Sequence, residues 1–186
     1  MSFWELSILA VGLSMDAFAV AICAGLTMVK VDFKKALTIG LYFGFFQAGM
    51  PLIGYFFASF FADKIITYDH WIAFILLAFL GCKMFVDGFK KEGCPDREQS
   101  LKPAKMLPLA VATSIDALAV GVSFAFLQVH IVPAVTFIGV ATLFISMAGV
   151  KIGNVFGIRF KAKAQFAGGI ILILIGLKIL LEHLGL

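Results

Sequence analysis

Two heptapeptides one hundred residues apart, Ser14-Met15-Asp16-Ala17-Phe18-Ala19-Val20 and Ser114-Ile115-Asp116-Ala117-Leu118-Ala119-Val120, each put a carboxylate near the middle of a long apolar run. An ionisable group at that depth is costly in hydrocarbon, so a matched pair of them points to function rather than to accidental packing. The duplication also restricts the fold. Apolar stretches of about 20 residues, the length an α-helix needs to cross a bilayer, run from about Phe3 to Leu26, Ala36 to Phe61, Trp71 to Phe89, Met106 to Leu127, Pro133 to Phe156 and Phe166 to Leu184. The motif lies in the first stretch of each set of three. Three is odd, so the second set must enter the membrane from the opposite side. The expected fold is therefore all-α integral membrane, with six transmembrane helices as two inverted-topology three-helix repeats.

With 62% hydrophobic and 14% charged residues in 186, and a mean hydropathy of +1.05, the chain has too little polar surface for a soluble globule. Residues 1–89 form the expected first repeat and 106–186 the second; 90–105, with Glu, Gly, Pro and Ser, is the linker between them. The first stretch has no Lys or Arg before it, carries Asp16 and is too long for an h-region. It is expected to stay as a transmembrane helix rather than to be removed as a signal peptide.

Most of the 15 positive residues fall in the odd connections: Lys30, Lys34 and Lys35; Lys90, Lys91, Arg97, Lys102 and Lys105; Arg159, Lys161 and Lys163. Lys64 alone lies in an even one. The positive-inside rule then puts the odd connections, including the linker, in the cytosol and both termini outside. The net charge of +4 and pI near 9.0 report this orientation and contact with anionic lipid headgroups. No basic, aromatic-interleaved surface suggests nucleic acid. Cys23, Cys82 and Cys94 form no CxxC pair and no even framework, which predicts reduced thiols.

Similarity between the halves extends past the motif. A shift of 99 aligns Gly40 with Gly139, Gln47 with Ser146 and Ile53-Gly54 with Ile152-Gly153, while a shift of 95 aligns Gly81-Cys82-Lys83 with Gly176-Leu177-Lys178 and Asp87 with Glu182. Stripes of small residues, Ala10, Ser14, Ala17, Ala21, Gly25 and their counterparts Ala110, Ser114, Ala117, Gly121, Ala125, permit close backbone approach. Both aspartates are expected near the bilayer midplane, where inverted repeats commonly place their substrate sites.

Two carboxylates facing each other in a low dielectric repel, and a divalent cation between them removes the conflict. Carboxylate, carbonyl, hydroxyl and amide oxygens suit hard ions such as Mg²⁺, Ca²⁺ and Mn²⁺; no His or Cys cluster at this depth favours a softer metal. Asp16 and Asp116 are the principal candidate metal ligands. Ser14 and Ser114 project about 200° around an ideal helix from the Asp two residues later, so they join the same ion only if the helix unwinds locally. Otherwise each bonds a backbone carbonyl. Gln47 and Ser146, polar groups inside the second and fifth spans, can complete an ion's shell, and Pro51 and Asn154 can free carbonyls beside them. Met15 is read as core filling. Lys83 with Asp87, and Lys178 with Glu182, are i,i+4 pairs that either neutralise themselves or act as alternating gates. His70, His130 and His183 lie near expected outer ends and form no triad.

The duplicated Ser-x-Asp-Ala-x-Ala-Val motif, the Gln47-Ala-Gly-Met-Pro-Leu-Ile-Gly54 segment, the Gly81-x-Lys-Met stretch and the six-span length closely resemble the MntP family of manganese efflux pumps, over essentially the whole chain. The resemblance implies export of Mn²⁺ across a bacterial inner membrane, with Asp16 and Asp116 in the positions of the family's motif acids. Alternating access is the expected mechanism, with protons as the expected counter-ion. The expected protein is a secondary transporter, not an enzyme, with no cofactor; no nucleotide-binding motif is present. Two other readings fit paired membrane aspartates. One is export of another divalent cation or a small solute. The other is intramembrane aspartyl proteolysis, which the sequence around Asp16 disfavours because Gly12-Leu13-Ser14-Met15 replaces a Gly-x-Gly lead-in.

Overall fold

The computed structural model describes residues 3–28, 31–62, 69–89, 103–156 and 159–184. Among these the chain is all-helical: α1 (Phe3–Leu13), α2 (Met15–Thr27), α3 (Phe33–Ala62), α4 (Asp69–Phe89), α5 (Pro103–Phe126), α6 (Ile131–Phe156) and α7 (Arg159–Leu184). Each expected apolar stretch is helical. The first is divided in two at Ser14.

Local chemistry accounts for that division. The Ser14 hydroxyl donates to the Ala10 carbonyl at 2.6 Å, a back-bond of the kind that bends helices. The side-chain amide of Gln47 donates to the Leu13 carbonyl at 2.9 Å and competes for an acceptor of the helical ladder. The axis bends by 40° between α1 and α2. No such break occurs in α5, which passes through Ser114 and Pro108. α3 likewise continues through Pro51, and α6 through Asn154, so neither residue ends a helix. Asn154 instead donates to the Gly25 and Met28 carbonyls at 3.2 and 2.8 Å, satisfying acceptors at the end of α2.

Packing joins one half of the chain to the other. The most extensive interfaces are α3 on α5, α4 on α7, α3 on α6 and α2 on α6, and contacts within either half are sparse by comparison. One apolar core gathers Leu9, Leu13, Leu77 and Leu80 with Val120, Phe124, Ile138 and Leu172; another gathers Ala17, Ala21, Ile39 and Phe43 with Met106, Ala110 and Val150. At the α3–α6 crossing, a Cβ on Gly44 would stand 2.8 Å from the Gly139 carbonyl oxygen, and one on Gly139 would stand 3.0 Å from that of Gly44. The two backbones meet through reciprocal glycines.

The outer surface is apolar. Phe45, Phe56, Phe57, Phe60, Phe79 and Phe144 all project from it, whereas Ser14, Gln47, Ser114, Asp116, Ser123, Thr142 and Ser146 are buried. Continuous apolar surface of this kind would aggregate in water and is at home in hydrocarbon, where backbone groups must be satisfied within helices. Among the described residues, Phe33–Phe60, Met106–Phe126 and Ile131–Val155 are long and apolar enough to cross a membrane, and the bent pair Trp4–Leu13 with Met15–Leu26 makes a fourth when counted as one span. α4 and α7 occupy the third and sixth expected stretches at 21 and 26 residues. They carry Lys83 and Lys178 inside their apolar runs. The protein is a multi-pass helical membrane protein.

Cys82 is a free thiol, but Cys23 is disulfide-bonded, so the expectation of three reduced thiols fails at Cys23.

Candidate functional site

The buried polar side chains form connected groups where α1, α2 and α5 meet α3 and α6. Ser114 on α5 donates to Gln47 Oε1 on α3 at 2.9 Å, and Gln47 passes its own hydrogen on to Leu13 at the end of α1. Ser14 lies 2.7 Å from Thr142 Oγ1 on α6. Thr142 also donates to the Ile138 carbonyl at 2.8 Å, as Ser14 does to Ala10. Two hydroxyl hydrogens thus serve three contacts, which leaves this pair rich in acceptor oxygen. One turn further along α6, Ser146 is fully buried and its Oγ has no hydrogen-bond partner. Pro51 has no N–H to give the Gln47 carbonyl four residues before it.

These contacts revise one expected equivalence. The first motif serine meets Thr142, and the second meets Gln47, so Gln47 corresponds by contact to Thr142 rather than to Ser146. The same offset of 95 relates Gly44 to Gly139. It also relates Gly54, where an added Cβ would stand 2.1 Å from the Leu118 oxygen, to Gly149, where it would stand 3.0 Å from the Phe18 oxygen. An alignment shifted by 99 matched residue types, whereas the helices pack one turn away from it. Thr142 went unremarked in the sequence, although it lies on the same helical face as Ser146.

Asp116 is buried on α5 and accepts two hydrogen bonds from Lys83 Nζ on α4, at 2.7 and 2.9 Å from its two oxygens. Lys178 on α7 donates to Glu5 on α1. Both lysines therefore reach across to the opposite half of the chain. Nothing in the i,i+4 spacing to Asp87 and Glu182 signals this; the clue was that two lone lysines recur at matching Gly-x-Lys sites. Asp87 and Glu182 belong to α4 and α7, but their side chains lie outside the described residues. Asp16 is half-buried on α2, and Met15 packs against the apolar core. His130 is exposed between α5 and α6, while the side chains of His70 and His183 are outside the described residues. Among the described residues no three His, Cys, Asp or Glu side chains converge. A cation held here would take its remaining ligands from hydroxyl, amide and carbonyl oxygens, the donor set of a hard ion.

Fold and site together define a class: a multi-pass helical membrane protein with an apolar outer surface and an ion-paired, oxygen-lined interior. Residues 30–180 match the family model described as "Putative manganese efflux pump". The chain belongs to this MntP manganese efflux pump family. Proteins of that name are similar along nearly their full lengths. The one from Desulfitobacterium hafniense is 58% identical over 97% of this chain and 95% of its own. That from Acetivibrio thermocellus is 53% identical over 100% and 93%, and that from Campylobacter jejuni 50% identical over 99% and 98%. These relatives are named as pumps, which are transporters rather than enzymes. No solved structure matches the chain.

Proposed function

We propose that the chain exports manganese(II) from the bacterial cytosol across the inner membrane by alternating access. The observation that carries this is a buried, ion-paired carboxylate, Asp116, in a member of a manganese efflux family. Asp16 and Asp116 are the anionic ligands. Gln47, Ser14 and Ser146 supply neutral oxygens, to which the contacts add Thr142; Ser114, on the unbroken α5 and donating to Gln47, joins the ion when α5 unwinds locally at the motif. Two carboxylates neutralise one divalent ion, so the loaded site carries little net charge through the low-dielectric interior. Mn²⁺ accepts carboxylate, carbonyl and hydroxyl oxygen, and the Gln47 carbonyl above Pro51 is a further donor.

In this reading the chain crosses the membrane six times as two inverted three-helix repeats, residues 1–89 and 106–186, with 90–105 as a cytosolic linker and both termini outside. The reciprocal approach of Gly44 and Gly139 and the paired Ser114–Gln47 and Ser14–Thr142 contacts support it. Alternating access opens the site first to the cytosol and then to the outside. Protons moving against the ion supply the coupling, and Lys83, Asp87, Lys178 and Glu182 gate the two ends.

A manganese titration of detergent-purified protein, repeated on Asp16→Asn and Asp116→Asn, tests the site. Saturable binding lost in both variants is expected, together with loss of manganese tolerance in cells that depend on the protein. Binding that survives both substitutions refutes the assignment. Efflux from proteoliposomes with no opposing proton movement refutes the coupling alone, and equal transport of a metal-free solute favours the alternative carrier.

A further inference from the structure

Resting on the manganese-site reading above, we infer that the Lys83 ammonium is a tethered surrogate for the transported cation, held on Asp116 when the site is empty and displaced from it when a divalent ion arrives. Lys83 engages both carboxylate oxygens of Asp116, at 2.7 and 2.9 Å, so neither is bare. A divalent ion bound to those same oxygens would stand within a few ångströms of the ammonium, and the burial of Asp116 weakens the screening of their repulsion. The two cations are mutually exclusive at Asp116.

The placement of the two residues suits an exchange. Asp116 is fixed and enclosed, its side chain 6% exposed, whereas that of Lys83 is 44% exposed. The ligand is static and its occupant can swing. What changes in the exchange is the position of Lys83. Two consequences follow for the transport cycle. An empty carrier keeps Asp116 compensated while it reorients, and so avoids carrying a bare carboxylate through hydrocarbon. The tethered ammonium, at an effective concentration on the order of millimolar, also competes with every incoming ion. A monovalent ion offers Asp116 no more charge than Lys83 already does, so the competition selects for divalent cargo and weakens binding enough for release.

Manganese binding to purified full-length protein, followed by the electron paramagnetic resonance signal of free Mn²⁺, tests this. Lys83→Gln, which removes the competing charge, is expected to bind Mn²⁺ about tenfold more tightly than the unaltered protein. Lys83→Arg, which keeps the charge, should stay within about threefold, and adding Asp116→Asn to Lys83→Gln should abolish the gain. A folded Lys83→Gln protein with unchanged or weaker affinity overturns the inference while leaving the site intact. Mn²⁺ binding indifferent to Asp116→Asn alone overturns both. Should Lys83→Gln fail to fold, the unaltered protein still decides: amine acylation at Lys83, quantified by mass spectrometry, must rise at saturating Mn²⁺. Labelling that stays constant or falls overturns the surrogate.

Discussion

Lys83 on α4 grips Asp116 on α5 by both carboxylate oxygens, at 2.7 and 2.9 Å. The two residues belong to opposite halves of the chain, so the pair cross-links the fold as well as compensating a charge that hydrocarbon penalises. In the proposed site a motif acid is thereby structural and functional at once, and substitution must be read on both scales.

Asp116→Ala should lower stability and abolish manganese efflux together. Breaking a wholly buried ion pair costs about 3–5 kcal/mol. Lys83 is partly exposed and can turn outward, which reduces the expected loss to about 1–2 kcal/mol. Thermal unfolding in detergent, set beside efflux from inverted vesicles, measures the two effects. An unchanged melting temperature with efflux intact would mean that the pair matters to neither.

Gly54→Ala should separate α3 from α5. The added Cβ would lie 2.1 Å from the Leu118 carbonyl oxygen, which is backbone and cannot turn aside. Overpacking of this sort costs about 1–3 kcal/mol. Gly49→Ala on the same helix is the control, since nothing lies within 4 Å of its added Cβ. It should be neutral, or stabilising by up to about 1 kcal/mol through helix propensity. Equal melting temperatures for the two variants would contradict the close α3–α5 approach.

Period and length made the helices legible in the sequence. Polar residues stood out within apolar runs, which is why Asp116, Gln47, Ser14 and Ser114 were recognisable before any fold was known. Partners were harder to read. Lys83 has Asp87 four residues along its own helix, and local spacing cannot disclose that Asp116, on another helix, lies within its reach. The match of Gln47 with Ser146 failed for a related reason: similarity of residue type set the alignment, while contact with the two motif serines selects Thr142. The bend at Ser14 depends on an amide delivered by α3 to the Leu13 carbonyl, so the run Phe3 to Leu26 looked like one uninterrupted helix.

Gln47→Leu should remove a bridge between α1, α3 and α5. Its amide donates to Leu13 and its oxygen accepts from Ser114, so an isosteric apolar side chain strands a carbonyl and a hydroxyl in a buried place. Each buried group left without a partner costs about 1–3 kcal/mol. The bend at Ser14 should relax as well, because the Leu13 carbonyl becomes available again to the helical ladder. Spin labels on the outer turns of α1 and α2 would report the relaxation as a longer distance between them. An unaltered distance would show that the Ser14 back-bond alone holds the bend.

Ser146→Ala separates a ligand from a structural residue. A buried hydroxyl with no hydrogen-bond partner contributes desolvation cost and no compensating bond. Replacing it by a methyl group should therefore leave the metal-free protein as stable as before, or more stable by up to about 1 kcal/mol. A ligand lost from the proposed site should at the same time weaken manganese binding severalfold. Ser123→Ala is the comparison: Ser123 is also buried, but its hydroxyl donates to the Ala119 carbonyl at 3.2 Å and it is not among the proposed ligands. Stability and manganese affinity moving in opposite directions for Ser146→Ala, with affinity unmoved for Ser123→Ala, identifies Ser146 as held in reserve for the ion. A fall in stability with affinity unchanged assigns Ser146 to packing.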